Sequence, residues 1–122
     1  MSGNKYRDIT EISRILKTLA KELNITILCG SQLSRKVEER MGHRPLMTDL
    51  PESGSLEADA DILMFLLRRE YYDPYDKPGH AELLVSKNRH GSIGSVNLTF
   101  RKEIVKFENY APLDEKLLED NF

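Results

Sequence analysis

The sequence contains one cysteine, Cys29, and no tryptophan. One cysteine cannot form a disulfide within a chain, which excludes a disulfide-stapled scaffold, and the apolar run around Cys29 predicts that it is a small buried hydrophobic residue. The three histidines, His43, His80 and His90, are scattered without the spacing of metal ligands. We therefore predict no metal site in this chain.

Long hydrophobic runs are also missing. The longest, residues 62–67, is far too short to span a bilayer. Residues 1–8 lack the apolar core of a signal peptide, so a cytoplasmic protein is expected.

An excess of positive charge is absent, because 18 Lys and Arg stand against 20 Asp and Glu, for a net charge of −2. No overall positive field would attract nucleic acid, so such a contact must come from a local patch or from an assembly that concentrates small patches. With 39% hydrophobic residues in 122 positions, the chain is expected to form at most one globular domain.

The first half of the chain predicts a helix followed by a buried strand. Apolar residues recur at helical spacing over residues 8–23, and Asn24 is a plausible stop. Residues 25–31 begin with a continuous apolar, β-branched run, typical of a strand covered on both faces. This order indicates an α/β fold with a parallel sheet. The Gly-x-x-x-x-Gly-Lys-Ser/Thr phosphate loop of such nucleotide-binding folds is missing, which suggests the back half of a larger domain.

The second half predicts short helices and an antiparallel meander. A polar helix is expected at residues 34–41 and another at 55–61, where Asp49 and Glu52 have capping spacing with Pro51 in the first turn. Residues 62–67 predict a second buried strand, and 70–79 a turn-rich connection. Strands at 81–86, 95–100 and 104–107 complete the meander. We expect residues 1–110 to form the domain portion and residues 111–122 a loosely held acidic tail.

The segment Lys87-Asn88-Arg89-His90-Gly91-Ser92-Ile93-Gly94 lies between two of these strands. It places two cations and a glycine turn at the end of a sheet. Arg offers a planar fork of donors and Lys a point charge, and both suit phosphate. Taken alone, the segment is better explained as a solvated hairpin turn, because short basic motifs often occur without a binding role.

Several motifs in fixed order resemble one family. They are Glu11-Ile12-Ser13-Arg14, Leu19-Ala20-Lys21-Glu22-Leu23, Ser31-Gln32-Leu33-Ser34-Arg35, Arg44-Pro45, Asp49-Leu50, Glu52-Ser53-Gly54-Ser55, Glu57 to Asp61, and Lys87-Asn88-Arg89 with Gly91 and Gly94. Over residues 6–110 the chain resembles the C-terminal part of the RecA-like motor domain of bacterial replicative DNA helicases, the DnaB family. Each motif is weak alone, but the ordered set is specific.

The resemblance implies a homohexameric ring that hydrolyses ATP with Mg²⁺ and translocates on single-stranded DNA, with a primase and a helicase loader as expected partners. The phosphate loop, catalytic glutamate and magnesium-holding aspartate of the family lie upstream of the matched segment. The chain is therefore expected to be a distal RecA-like fragment that binds neither ATP nor Mg²⁺ alone and does not hydrolyse ATP alone.

The resemblance also assigns roles at the nucleotide. Lys87 and Arg89 match the basic pair that reaches across a subunit interface to the γ-phosphate bound by the neighbour, Arg89 as an arginine finger. Gln32 matches a sensor that couples this phosphate to the DNA loops, and an amide suits that role because it can donate and accept. The alternative for Gln32 is a hydrogen bond to its own loop backbone.

Residues 49–55 match the loop that faces DNA in the central channel, where backbone N–H groups bind phosphates. Glu52, Gly54 and Ser53 are carried over as DNA contacts, although Glu52 could serve only as a helix cap that holds the loop. Many relatives have a basic residue at the position of Pro51, so this phosphate contact is expected either to be missing or to be supplied by Arg44 or Arg40.

Three alternatives stay open. Tyr71, Tyr72 and Tyr75 could stack on bases, but packing over their own loop or at a subunit contact is favoured. The second alternative is a stand-alone module that binds DNA or a helicase ring without hydrolysis, which a natural start at Met1 would favour. A phosphate loop encoded upstream in the same reading frame would instead favour the helicase motor domain. A RecA-type recombinase is the third alternative, but Lys87-x-Arg89 after the second strand favours the helicase.

Overall fold

The computed structural model describes residues 5–111. Its helices are α1 (Lys5–Leu23), α2 (Lys36–Glu39), α3 (Ser53–Asp59) and α4 (Arg69–Tyr72), with 3₁₀ turns at Met41–His43 and Met47–Asp49. Its strands are β1 (Ile62–Leu67), β2 (His80–Asn88), β3 (Gly94–Arg101) and β4 (Lys106–Asn109). Of the tail predicted at 111–122, all but residue 111 lies outside the described residues.

Helix α1 ends where the sequence predicts. Asn24 adopts a left-handed conformation with φ of 52°, which asparagine tolerates better than most residues. The Ile25 N–H donates to the Ala20 carbonyl at 3.1 Å and satisfies one of the last carbonyls of the helix. The predicted stop at Asn24 is therefore confirmed.

The four strands form one sheet in the order β1-β2-β3-β4, and every neighbouring pair is antiparallel. The predicted meander of β2, β3 and β4 is confirmed, with β4 two residues later than expected. β1 has the predicted bounds but pairs antiparallel with β2, so the parallel pairing expected from the helix–strand order does not occur among residues 5–111.

The prediction of a buried strand at residues 25–31 is wrong for this structure. The segment has no regular secondary structure and belongs to no sheet, and Leu28 is 84% exposed. Cys29 is exposed as well, against the prediction that it is buried. A strand needs a neighbouring strand for its N–H and C=O groups, and no strand in the described part of the chain pairs with this one.

The predicted cap of α3 is also wrong. The carboxylate of Asp49 accepts the Leu46 N–H at 2.7 Å and so caps the start of the 3₁₀ turn Met47–Asp49, which precedes α3. The N-cap position of α3 is Glu52, which makes no side-chain cap hydrogen bond, and Pro51 precedes the first turn. The helix begins at Ser53, two residues earlier than predicted.

The buried apolar side chains come from both faces of the sheet and from α2. They are Val37, Phe65, Leu67, Ala81, Leu84 and Phe100. The alternate positions of β1 are exposed, so only one face of this predicted buried strand is covered. Within residues 5–111, no helix has the length and apolar character needed to cross a membrane.

Candidate functional site

The end of β2 brings both predicted phosphate-binding cations to the C-terminal end of α3. The Lys87 ammonium donates to the Glu57 carbonyl, and the Arg89 guanidinium donates to the Ala58 carbonyl at 3.2 Å. Carbonyls in the last turn of a helix have no partner within the helix and favour cations. The two side chains that the sequence singled out therefore converge on one end of one short helix.

Asp61 completes this cluster. Its carboxylate oxygen Oδ1 lies 3.0 Å from Arg89 Nη1 and 2.6 Å from Lys17 Nζ. Its backbone carbonyl accepts the Arg89 N–H at 2.9 Å. The hydrogen bond from Lys17 is the largest cause that lowers the pKa of Asp61, and the charge of Arg89 adds a smaller effect in the same direction. Asp61 is thus a carboxylate shared by two cations.

Arg89 consequently folds back onto an acidic side chain of its own chain. The contact lies at the surface, with the Arg89 side chain 39% exposed and that of Asp61 53% exposed. Surface ion pairs are weak, because both groups remain solvated. The guanidinium can therefore exchange this partner for another anion at small cost.

Gly91 shapes the turn that follows the two cations. A Cβ at this position would lie 2.5 Å from Asn88 Nδ2, which itself donates to the Ser92 carbonyl at 3.2 Å. A side chain at position 91 would therefore push Asn88 out of the turn. The glycine that the sequence placed between Arg89 and β3 has a steric role.

The predicted DNA-contacting residues lie at the other end of α3. Glu52 has a left-handed φ of 47°, and its carbonyl accepts the N–H groups of Ser55 and Leu56 at 3.0 and 3.1 Å. Gly54 is exposed, and a Cβ there would meet no atom within 4 Å. Seven helical residues, about 10 Å of helix, separate this loop from the cations.

An ion pair between a buried carboxylate and a partly exposed arginine anchors the chain just before this loop. Arg40 donates both Nη1 and Nη2 to the Asp49 carboxylate, at 2.8 and 2.9 Å, and Asp49 is 2% exposed. The hydrogen bond from Arg40 lowers the pKa of Asp49, against the opposing effect of burial. Arg40 is thus committed to Asp49. Arg44 pairs with Glu82 on β2 at 3.2 Å.

A row of polar contacts, which the sequence did not reveal, holds α3 against α1. Thr10 Oγ1 lies 3.0 Å from Ser55 Oγ, and Ser13 donates to Asp59 at 2.6 Å. Lys17 and Asp61 form the third contact of the row. The only signal in the sequence is the spacing of residues 10, 13 and 17, which places three polar side chains on one face of an amphipathic helix.

The remaining candidates are placed elsewhere. Gln32 is exposed in the irregular segment after α1, not at the end of a strand. The Tyr72 ring stacks on His43 with centroids 3.8 Å apart, and Tyr71 contacts Tyr72 edge to face, so these two pack locally. Tyr75 is 93% exposed.

Comparisons with known proteins identify the family. Residues 1–109 match the model of the DnaB-like helicase C terminal domain. The chain is 50% identical over 110 residues to the replicative DNA helicase DnaB of Buchnera aphidicola subsp. Baizongia pistaciae, and 47% identical over 107 residues to the replicative DNA helicase DnaC of Bacillus subtilis. It covers 24% of each relative, while these matches cover 89% and 87% of the chain.

Solved structures agree. A solved ATPase domain matches with a TM-score of 0.84 and 42% identity, over 91% of this chain and 40% of that one. A DnaB-like replicative helicase studied for its interactions with primase matches with a TM-score of 0.83 and 43% identity, over 91% of this chain and 28% of that one. The α/β, RecA-like fold expected from the sequence is confirmed. The chain spans about a quarter of the length of its curated relatives, and it belongs to the DnaB-like helicase C-terminal domain family.

Proposed function

We propose that this chain is the distal part of the motor domain of a replicative DNA helicase. In this proposal the whole protein is an ATP-dependent enzyme that assembles as a homohexameric ring, translocates on single-stranded DNA and unwinds the duplex. The names of the curated relatives support the activity. Because the chain spans a quarter of their length, the activity is assigned to the whole protein and not to these 122 residues.

One observation carries the proposal: Lys87 and Arg89 leave the same strand end, contact the same helix end, and remain partly exposed. Their contacts are two carbonyls and one surface carboxylate, all of which a phosphate can replace. We assign Arg89 as an arginine finger that acts on the triphosphate of the neighbouring subunit and Lys87 as its accompanying cation. Charge on the transferred phosphoryl group would be offset by this pair.

ATP and Mg²⁺ belong to the complete protein in this proposal. Within the described residues, no group of three or more His, Cys, Asp or Glu side chains could hold a metal ion. We assign no metal ligand to this chain, and none of the roles proposed for its residues involves a metal ion. Gln32, exposed after α1, is proposed to contact the nucleotide phosphate.

The DNA contact is assigned to the loop at the start of α3, through Glu52, Ser53 and Gly54. The open space around Gly54 supports close approach of a DNA phosphate to the backbone. Arg44 is retained as a further DNA contact, in which case phosphate would replace Glu82 as its partner. Six copies of so small a site around one channel would allow a chain of net charge −2 to hold DNA.

Partners of the whole protein follow from its family. A related structure concerns interactions with primase, which supports a primase as a partner here. A helicase loader and cytoplasmic location are proposed on the same family basis. The stand-alone binding module has no specific observation in its favour, and apolar side chains exposed on α1 and β1 argue against an autonomous unit.

The finger assignment predicts a defect in trans. In rings of the full-length protein, Arg89→Ala should lower ATP turnover by about 10³-fold or more. Arg89→Lys should not rescue, since it keeps the charge and loses the fork. In rings mixed with wild-type subunits, the variant's own nucleotide site should work beside a normal neighbour. Steady-state turnover against mixing ratio measures this.

Arg101→Ala is the matched control. Arg101 is also a partly exposed arginine in an ion pair, with Glu108 at 2.7 Å, but it lies on β3. This variant should keep turnover within about twofold. Failure of Arg89→Ala to reduce turnover, or mixed rings without complementation, would contradict the assignment.

A further inference from the structure

Asp61 holds the proposed finger in its observed position, and Lys17 competes with the finger for the same oxygen. Lys17 Nζ lies 2.6 Å from Asp61 Oδ1, whereas Arg89 Nη1 lies 3.0 Å from it. The Lys17 side chain is 18% exposed, against 39% for Arg89. Lys17 is therefore the closer and less solvated of the two partners.

This arrangement affects how easily Arg89 can leave. If Arg89 were the only partner of Asp61, its departure would leave the carboxylate, which is 53% exposed, compensated by water alone. With Lys17 in place, the charge of Asp61 stays neutralised when the guanidinium turns away. The backbone N–H of Arg89 donates to the Asp61 carbonyl at 2.9 Å, and this hydrogen bond can hold the backbone in place while the side chain moves.

Helix α1 sets the position of Lys17. Ser13, one turn earlier, is 8% exposed and donates to Asp59 at 2.6 Å, and the Thr10–Ser55 contact lies a turn before that. These contacts fix α1 against α3, so the ammonium is presented to Asp61 from a defined direction. Lys17 reaches Arg89 only through Asp61.

We propose that Lys17 and Asp61 are positioning residues that form a latch for Arg89, in which Asp61 retains the guanidinium and Lys17 eases its release. The inference rests on the proposed function, because it concerns how the finger becomes available to a neighbouring triphosphate. Neither residue is proposed to contact nucleotide.

The latch predicts effects of opposite sign. In the full-length protein without DNA, Asp61→Asn removes the retaining charge and should raise ATP turnover about two- to fivefold, the range expected for one exposed ion pair. Lys17→Met leaves Arg89 as the only cation on Asp61 and should lower turnover by a similar factor. Lys17→Arg keeps the charge and should remain near wild type.

The double variant gives the decisive measurement. Adding Asp61→Asn to Lys17→Met removes the anion that over-retains Arg89, so turnover should return to the level of Asp61→Asn alone. Structural damage would instead accumulate. Lys21→Met, one turn further along the exposed part of α1, is the matched control and should not change turnover.

The inference is overturned if Asp61→Asn lowers turnover, if Lys17→Met does not, or if the double variant fails to regain activity for any reason, including loss of folding. Arg89→Ala, measured alongside, separates the two proposals. If Arg89→Ala has no effect, the finger itself is wrong. If Arg89→Ala abolishes turnover while the latch variants behave otherwise than predicted, only the latch is wrong.

Discussion

At the scale of single residues, two buried carboxylates each draw several donors onto one point of the chain. Asp49 and Glu70 are both buried, and each receives several donors. The hydrogen bond from the backbone N–H of Gly79 is the largest cause that lowers the pKa of Glu70, and Lys102 and Arg68 lower it further. A buried carboxylate is tolerated only when it is paired in this way. Each is therefore a point where one substitution has a large effect.

Asp49 gives a prediction with a defined pH dependence. Its pKa is lower in the folded chain than in the unfolded chain, so the unfolded chain binds the proton more readily. The stabilisation is complete above about pH 4 and is lost as pH falls below that value. We expect Asp49→Asn to cost about 2 kcal/mol of unfolding free energy at pH 7 and much less at pH 3.

Urea denaturation at the two pH values measures the difference. Glu103→Gln, an exposed carboxylate on the β3–β4 turn, is the control and should be nearly neutral at both. Other paired carboxylates also lose stability in acid, so the informative quantity is the gap between wild type and Asp49→Asn. A gap that stayed constant from pH 7 to pH 3 would contradict the role given to the Arg40–Asp49 pair.

At the scale of elements, the sequence predicted correctly those strands and turns whose formation depends on residues close together in the chain. The meander was predictable because alternation and turn residues such as Gly91 act within a few positions of each other. The strand at 25–31 was not, because strand formation depends on a neighbouring strand and no described strand supplies one. Asp49 was assigned as a cap of α3 and instead caps the 3₁₀ turn, since spacing alone cannot reveal that Arg40 and the Leu46 N–H donate to its two oxygens.

The same distinction between local and long-range contacts separates the site residues that the sequence predicted from those that it did not. Lys87 and Arg89 were found from the sequence because they lie two residues apart at a strand end. Lys17 and Asp61 were missed, since their contact joins positions 44 residues apart. Helix α3 connects the two halves of the site, with the predicted DNA loop at its start and the two cations at its end.

Gly54 tests the start of α3. A methyl group there meets no atom within 4 Å, and alanine favours helix over glycine by up to about 1 kcal/mol. Gly54→Ala should therefore leave the melting temperature unchanged or raised. The same methyl group would occupy the space in which a DNA phosphate approaches the backbone, so affinity for single-stranded DNA should fall about tenfold.

Fluorescence anisotropy with a labelled oligothymidylate, measured on the full-length protein at fixed salt, reports that affinity. Gly30→Ala makes the same chemical change at another exposed glycine with open space around it, and should alter neither property. Unchanged DNA affinity in Gly54→Ala would remove this loop from the DNA interface.

At the scale of the whole molecule, apolar side chains remain uncovered on two elements. On α1, Ile12, Ile15 and Leu23 are 54%, 55% and 60% exposed. On β1, Ile62 and Leu66 are 50% and 51% exposed. Several half-exposed large apolar side chains on one helix and one strand are unusual for a monomer in water. This exposure matches a chain that corresponds to a quarter of its relatives' length.

This surface predicts the behaviour of the isolated chain. We expect it to bind an environment-sensitive hydrophobic dye and to self-associate in a concentration-dependent way, as read by dye fluorescence and by sedimentation. Ile15→Lys together with Leu19→Lys should reduce both signals without lowering the melting temperature, because these side chains are 55% and 38% exposed and contribute little to the core. Val105→Lys, at a 78% exposed position on the β3–β4 turn, is the control and should change neither. If the isolated chain bound no dye and stayed monomeric at high concentration, α1 and β1 would not form a covered interface in a larger protein, and the assignment of this chain as part of a larger motor domain would lose its physical basis.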